Sequence, residues 1–241
     1  MANRIILTDV DMSTDNVRLV RRTSLPQLIS GLPEGEYSVY DTGVPVTAVV
    51  GGGTTGLVDT FTDVAGTLLT AHTSDSGHTW PDMTSGGPSA VIHSDGVSLV
   101  SGATTNGVTH LSNYASAADC YVEADVIITT ENSGYNPWSI LRAQDLVNWY
   151  AIGITGTRYL TVSKTVGGTS TVLYTSEDAI PVGTATVRLE AQGSTLRAYL
   201  NGVLATTLTD TDIAAAGKIG VRRAGGNTTN RRWDAIRAGD L

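Results

Sequence analysis

Between Ala185 and Leu241 the chain alternates apolar and polar residues in one short run after another, and this period constrains the fold most. In Val187–Arg188–Leu189–Glu190–Ala191 and in Leu196–Arg197–Ala198–Tyr199–Leu200, every second side chain is apolar, the signature of a half-buried strand. Asn201–Gly202 follows, the pair that tolerates the positive φ angles of a tight type I′ hairpin, and Val203 to Leu208 returns as the next strand. The rest of the chain repeats the style. With 27 glycines, abundant threonine and no long amphipathic helical period, it reads as many short strands joined by tight turns. The expected class is all-β.

Charge and cysteine narrow the function classes. Acidic residues outnumber basic ones 23 to 15, and a net charge of −8 disfavours general nucleic-acid binding, which needs a positive footprint. Arg222, Arg223, Arg231, Arg232 and Arg237 gather near the end and read as solvated strand-face charges, with a local docking patch as the other reading. The opening "MANRIILTDVDM" has neither the basic n-region nor the apolar core of a secretory signal, and no apolar run approaches the ~20 residues of a membrane span. Cys120 is the one cysteine, on the apolar face it shares with Val122, Ala124, Val126 and Ile128, and reads as a buried structural thiol. His72, His78, His93 and His110 lack metal-ligand spacing, and Asp9 to Asp15 lacks the glycine and the final glutamate of a calcium loop.

Composition also suggests two domains. Gly51–Gly52–Gly53–Thr54–Thr55–Gly56 is flexible by composition and divides residues 1–50 from residues 57–241. Ahead of it, Arg4 to Leu7, Val17 to Val20, Tyr37 to Tyr40 and Val44 to Val50 are strand-like, and "LISGLPEGEYSVYD" resembles a corner of fibronectin type III sandwiches, with Leu32 packing and Tyr37 capping. So short a piece buries little by itself. It is expected to be a small β domain that anchors the chain to neighbouring copies or to another protein.

Three stretches in order resemble a known family: "DTFTDVAGTLLTAHTSDSGHTW" from Asp59, "SILRAQDLVNWYAIGI", and "VRLEAQGSTLRAYLNGVLATTLTDTDIAAAGKIGVRRAGG" closed by "RRWDAIRAG". They are similar to the concanavalin A-like lectin/glucanase jelly roll, in the laminin-G-like form often appended to phage tail fibres and other virion proteins. The resemblance runs from Asp59 to the end and implies a jelly-roll sandwich. It also implies two kinds of site. A structural Ca²⁺ of the kind many members hold would fall between Asp59 and Asp234, no other cofactor being expected, although Asp234 reads equally as a turn cap or an arginine partner. The retaining glucanases of the superfamily carry Glu-x-Asp-x-x-Glu on one strand face. Glu123–Ala124–Asp125 matches the first two positions, but Ile127 and Thr129 follow on that face where the acid is needed, so no catalytic residue is assigned.

Sugar rings stack on aromatic faces while planar polar groups take their hydroxyls, and the middle of the chain offers both. Tyr135, Trp138, Arg142, Asn148, Trp149 and Tyr150 are the candidate carbohydrate-binding set. If Leu141 and Ala143 face the core, Arg142 points outward on one sheet with Arg188, Glu190, Arg197 and Tyr199. The same run also fits a scaffold strand pair with one aromatic in the core. Trp80 and Trp233 read as core or sheet-edge packing.

The expected function is a non-enzymatic phage virion component, a tail fibre, head fibre or spike, that displays the jelly roll toward a host-surface glycan. Its expected partners are other virion proteins through residues 1–50, the glycan, and further copies of the chain, a trimer being favoured. A purely structural virion protein is the second reading and a glycoside hydrolase the third. Neither nucleic acid nor a membrane is an expected partner, and the expected location is the virion, after synthesis in the host cytoplasm.

Overall fold

The computed structural model describes residues 5–10, 16–22, 35–41, 44–50, 56–84, 89–96, 99–101, 108–131, 135–225 and 230–241. The chain divides into two compact units, Met1–Thr55 and Gly56–Leu241. In the first, β1 (Ile5–Val10), β2 (Asn16–Arg22), β3 (Gly35–Asp41) and β4 (Val44–Val50) lie side by side in that order. β1 and β4 pair antiparallel with their neighbours, whereas β2 and β3 run parallel. Leu32, named above for the corner, and residues 51–55 of the glycine-rich segment lie outside the described residues.

The second unit is a sandwich of two sheets, and among the described residues it holds a single 3-10 turn, Leu69–Ala71, and no α-helix. Its strands are β5 (Leu57–Asp59), β6 (Asp82–Met83), β7 (Ala90–Ile92), β8 (Leu99–Ser101), β9 (Val108–Ser116), β10 (Cys120–Ile128), β11 (Tyr135–Asp145) and β12 (Asn148–Ile154). They continue as β13 (Tyr159–Val166), β14 (Thr169–Ala179), β15 (Gly183–Gln192), β16 (Thr195–Leu200), β17 (Val203–Thr209), β18 (Gly217–Gly225) and β19 (Arg231–Asp240). One sheet has the order β17-β16-β15-β10-β19-β8-β7, with β5 also on β19; the other runs β14-β13-β12-β11-β18-β9-β6. Their described pairings are antiparallel throughout.

Period 2 explains the core. Cys120, Val122, Ala124, Val126 and Ile128 of β10 point inward and meet Tyr150, Ile152 and Ile154 of β12 and Leu160 and Val162 of β13 across the sandwich. Burial of each Val, Leu or Ile contributes roughly 1.5–3 kcal/mol before chain entropy is subtracted. Cys120 is wholly buried, and burial raises its thiol pKa, so the side chain serves as a small apolar filler. Trp80 and Trp233 are in this core as well. Asn201 and Gly202 have φ of 50° and 79°, the conformation their hairpin requires between β16 and β17.

Candidate functional site

The outward face of the seven-stranded sheet differs from an ordinary solvated face. Directly paired residues of neighbouring antiparallel strands point to the same side, so the register can be followed across the sheet as rows. The first row runs Thr109, Arg222, Trp138, Gly153, Thr161, Thr175. The second runs Asp82, Leu111, Gly220, Ile140, Ala151, Ser163, Val172. Beyond it lie Lys218 paired with Ala143, and Trp149 with Thr165 and Ser170. Leu111, Ile140, Ala143, Trp149 and Ala151 form a second apolar cluster, separate from the main core, against which Trp138 and Leu146 pack.

Trp138 takes its orientation from Gly153. A Cβ placed on Gly153 would stand 2.8 Å from Cε3 and 2.9 Å from Cδ2 of the indole, so the ring lies across the bare backbone of its cross-strand partner. One face of the indole is spent on the sheet and the side chain is only partly buried. Trp149, 3% exposed, is held by its Nε1 donating to the Leu146 carbonyl at 3.3 Å and by the Arg222 guanidinium 5.7 Å from its ring centre. Thr161, beside Gly153, carries a buried Oγ1 with no hydrogen-bond partner among the described residues. An aromatic plate, a guanidinium and hydroxyls thus share one row.

The other expected sugar ligands have structural work. Arg142 is wholly buried, which corrects the expectation that it points outward: its Nε donates to the Ala118 carbonyl at 2.5 Å and its Nη1 to the carbonyls of Gly193 (2.9 Å) and Ile213 (3.2 Å). Nor does it share a sheet with Arg188, Glu190, Arg197 and Tyr199, which belong to β15 and β16 of the opposite layer. Tyr150 points into the core, donating its hydroxyl to Asp210 and accepting from the Ile213 amide at 3.1 Å. Burial, then the bond to Asp210, raises its pKa to about 12. Asn148 braces two turns, with Nδ2 on the Asp145 carboxylate at 2.7 Å and Oδ1 accepting from the Gly167 amide at 2.7 Å. Tyr135 opens β11, and its side chain lies outside the described residues.

The expected calcium pair is not brought together as a ligand set. Asp59 faces the interior, where Oδ1 accepts from the Phe61 amide (2.7 Å) and meets His72 Nε2 (3.0 Å) while Oδ2 accepts from Trp80 Nε1 (2.9 Å). Asp234 stands at a bulge of β19 opposite Asp125 and Val126, and burial followed by the charges of Asp125 and Asp95 raises its pKa. Among the described residues, no group of three His, Cys, Asp or Glu side chains is arranged to hold a metal. No helix among them is long and apolar enough to cross a membrane.

No family model matches the chain, and no curated protein matches it at a significant level. Solved structures do. A β-glucanase from Bacillus licheniformis superposes with a TM-score of 0.52 at 15% identity over 79% of this chain and 99% of its own. A β-1,3-glucanase from Mycobacterium marinum gives 0.52 at 15% identity, covering 78% of this chain and 99% of that one. A β-agarase A, solved in complex with oligoagarose, gives 0.54 at 14% identity, covering 76% and 90%. The fold is a concanavalin A-like jelly roll.

On this jelly roll, Glu123 and Asp125 do share one face of β10, but it is the outer face of the eight-stranded sheet, on the far side of the sandwich from Trp138. Both carboxylates are occupied. Asp125 pairs with Arg237 at 2.9 Å and accepts from the Thr186 hydroxyl at 2.6 Å, while Glu123 lies 3.6 Å from Arg188 and 3.5 Å from Arg237. Ile127 follows them outward, as its place in the β10 burial pattern shows. The five late arginines of the jelly roll do not form one patch either. Arg222 and Arg223 leave opposite faces of β18, Arg223 and Arg231 are buried, and Arg232 pairs with Asp95 at 3.0 Å. Solvation is therefore the wrong description for Arg223 and Arg231.

Proposed function

We propose that the outer face of the seven-stranded sheet binds a glycan without chemistry. The carrying observation is Trp138, laid flat across Gly153 in one row with Arg222. An indole fixed by a packed sheet stacks on the C–H face of a sugar at little entropic cost, and the polar neighbours orient the ring. Asp82, which ends the second row and is held by Lys218, is the one carboxylate in the three rows, whereas retaining hydrolysis needs two about 5 Å apart, which supports binding over turnover. Trp138→Ala is expected to weaken binding on a glycan array or in calorimetry at least about tenfold, with the fold intact. Unchanged affinity would move the site elsewhere and favour a packing role for this face.

The finer reading is a virion adhesin of the tail-fibre, head-fibre or spike kind, with residues 1–50 as the anchor and multivalent display offsetting weak single sites. It is supported by the resemblance of the strand patterns from Asp59 onward to jelly rolls of that setting. Light scattering is then expected to find the full chain in a closed homo-oligomer, a trimer above all, and residues 56–241 as a monomer. An oligomer that survives removal of the first unit would end the anchoring idea.

A further inference from the structure

Resting on the glycan-binding reading, we infer that the outer face selects a sugar bearing a carboxylate, which Arg222 grips while the ring stacks on Trp138. Arg222 and Trp138 are direct cross-strand partners on β18 and β11, so their Cβ atoms stand about 5 Å apart and one monosaccharide spans both. Arg222 is oriented before any ligand arrives. Its Nη1 donates to Thr109 Oγ1 at 3.0 Å, and its guanidinium sits over Trp149 at 5.7 Å.

What it lacks is an anion. Among the described residues no carboxylate lies within ion-pair distance of Arg222, and its Nε and Nη2 have no protein acceptor. Most other outward cations of the sandwich have a carboxylate, with Arg188 on Glu190 at 2.9 Å, Arg237 on Asp125 at 2.9 Å, Arg232 on Asp95 at 3.0 Å and Lys218 on Asp82, while Arg197 has the Gln192 side-chain oxygen at 3.2 Å. Burial also lowers the pKa of Arg222, a sign that its charge is partly desolvated without compensation. A guanidinium stays protonated, so the cost is borne by the free protein and relieved by a bound anion. The free Nε–Nη2 edge is the fork that takes a planar carboxylate through two parallel bonds. A nucleic acid is a poor occupant, since a chain of net charge −8 offers its phosphates, in these rows, Arg222 and a Lys218 already paired with Asp82.

The test uses the full chain and calorimetry with a panel of polygalacturonate, hyaluronan, alginate and sialyllactose against methyl-esterified polygalacturonate, laminarin and dextran sulfate. At least one carboxylated member is expected to bind roughly 10- to 100-fold more tightly than the neutral ones. Arg222→Gln is expected to abolish that preference while keeping the melting temperature at or above that of the parent, because it removes an unpaired charge; a purely structural arginine would lower it. Arg222→Lys should keep part of the preference. Neutral glycans bound as well as acidic ones, with Arg222→Gln inert, would overturn the inference and leave the glycan reading standing. Dextran sulfate bound as tightly as the best carboxylate would overturn carboxylate selection in favour of general anion attraction. No binding by any member would take down the glycan reading and this inference with it.

Discussion

Arg142→Ala is expected to cost the jelly roll about 3–5 kcal/mol, the range for breaking a buried charged network by removing one partner. The side chain is wholly buried and donates to the carbonyls of Ala118, Gly193 and Ile213, with the Asp119 carboxylate 3.6 Å from Nη2. Those acceptors come from the β9–β10 turn, the β15–β16 turn and the loop before β18, so one guanidinium ties strands of both sheets together at one end of the sandwich. Truncation strands three carbonyls and opens a cavity. Lysine is expected to recover little, because a point charge cannot serve acceptors spread around a planar fork. All four tryptophans lie beyond residue 56, so their fluorescence in a urea titration follows this unit alone. Thermal unfolding should shift down by roughly 6–20 °C for a unit of this size. A loss below about 1 kcal/mol would mean that turns and core hold that end without the arginine.

Arg142 also marks where reading the chain by period breaks down. The inward face of β10 and the β15–β17 hairpins follow from alternation and from Asn201–Gly202, because an uninterrupted strand returns each side chain to its face every second residue. In β11 the register shifts between Ile140 and Ala143, and Arg142 has φ of +50°. The extra residue lets Leu141 enter the main core while Ala143 joins the outer cluster, so neighbours two apart face opposite sides and Arg142 turns inward between them. Nothing in "ILRAQD" announces a bulge. Sheet membership was equally hidden, since consecutive strands β10 and β11 sit in different layers and no local pattern says so. Arg222 was within reach of the same alternation that the rest of the chain obeys. With Ile219 and Val221 in the core, Gly220 and Arg222 must face outward, and the adjacent Arg–Arg pair splits across the sheet instead of forming a patch. Trp138 was visible as an aromatic; its flat pose was not, because it depends on a glycine of the next strand.

The second large effect is one of pH. His72 lies between two carboxylates, Nε2 3.0 Å from Asp59 and Nδ1 3.0 Å from Asp63, with the rings of Phe61 and Trp80 around the site. Burial by itself favours the neutral imidazole, but the hydrogen bonds to Asp59 and Asp63, reinforced by their charges, outweigh it and raise the pKa to about 9. A pKa above the ordinary 6.5 means that the folded state holds the proton more tightly than the unfolded chain. The stabilisation is therefore complete below pH 6.5 and disappears as pH rises through about 9, to a total of roughly 3 kcal/mol. Asp63 works in the opposite direction: its bond to His72, then the Val64 amide, lowers its pKa, so its contribution is present above pH 3.8 and fades as acid is added. Urea midpoints at pH 6 and pH 9.5, followed by tryptophan fluorescence, should show the parent losing about that amount. His72→Gln should be less stable at pH 6 by about 3 kcal/mol or more, since Asp59 is left buried without its countercharge, yet should lose far less than the parent between the two pH values. If the parent is equally stable at both, the ring is neutral in the folded protein, and Asp59 is held by Trp80 and the Phe61 amide alone.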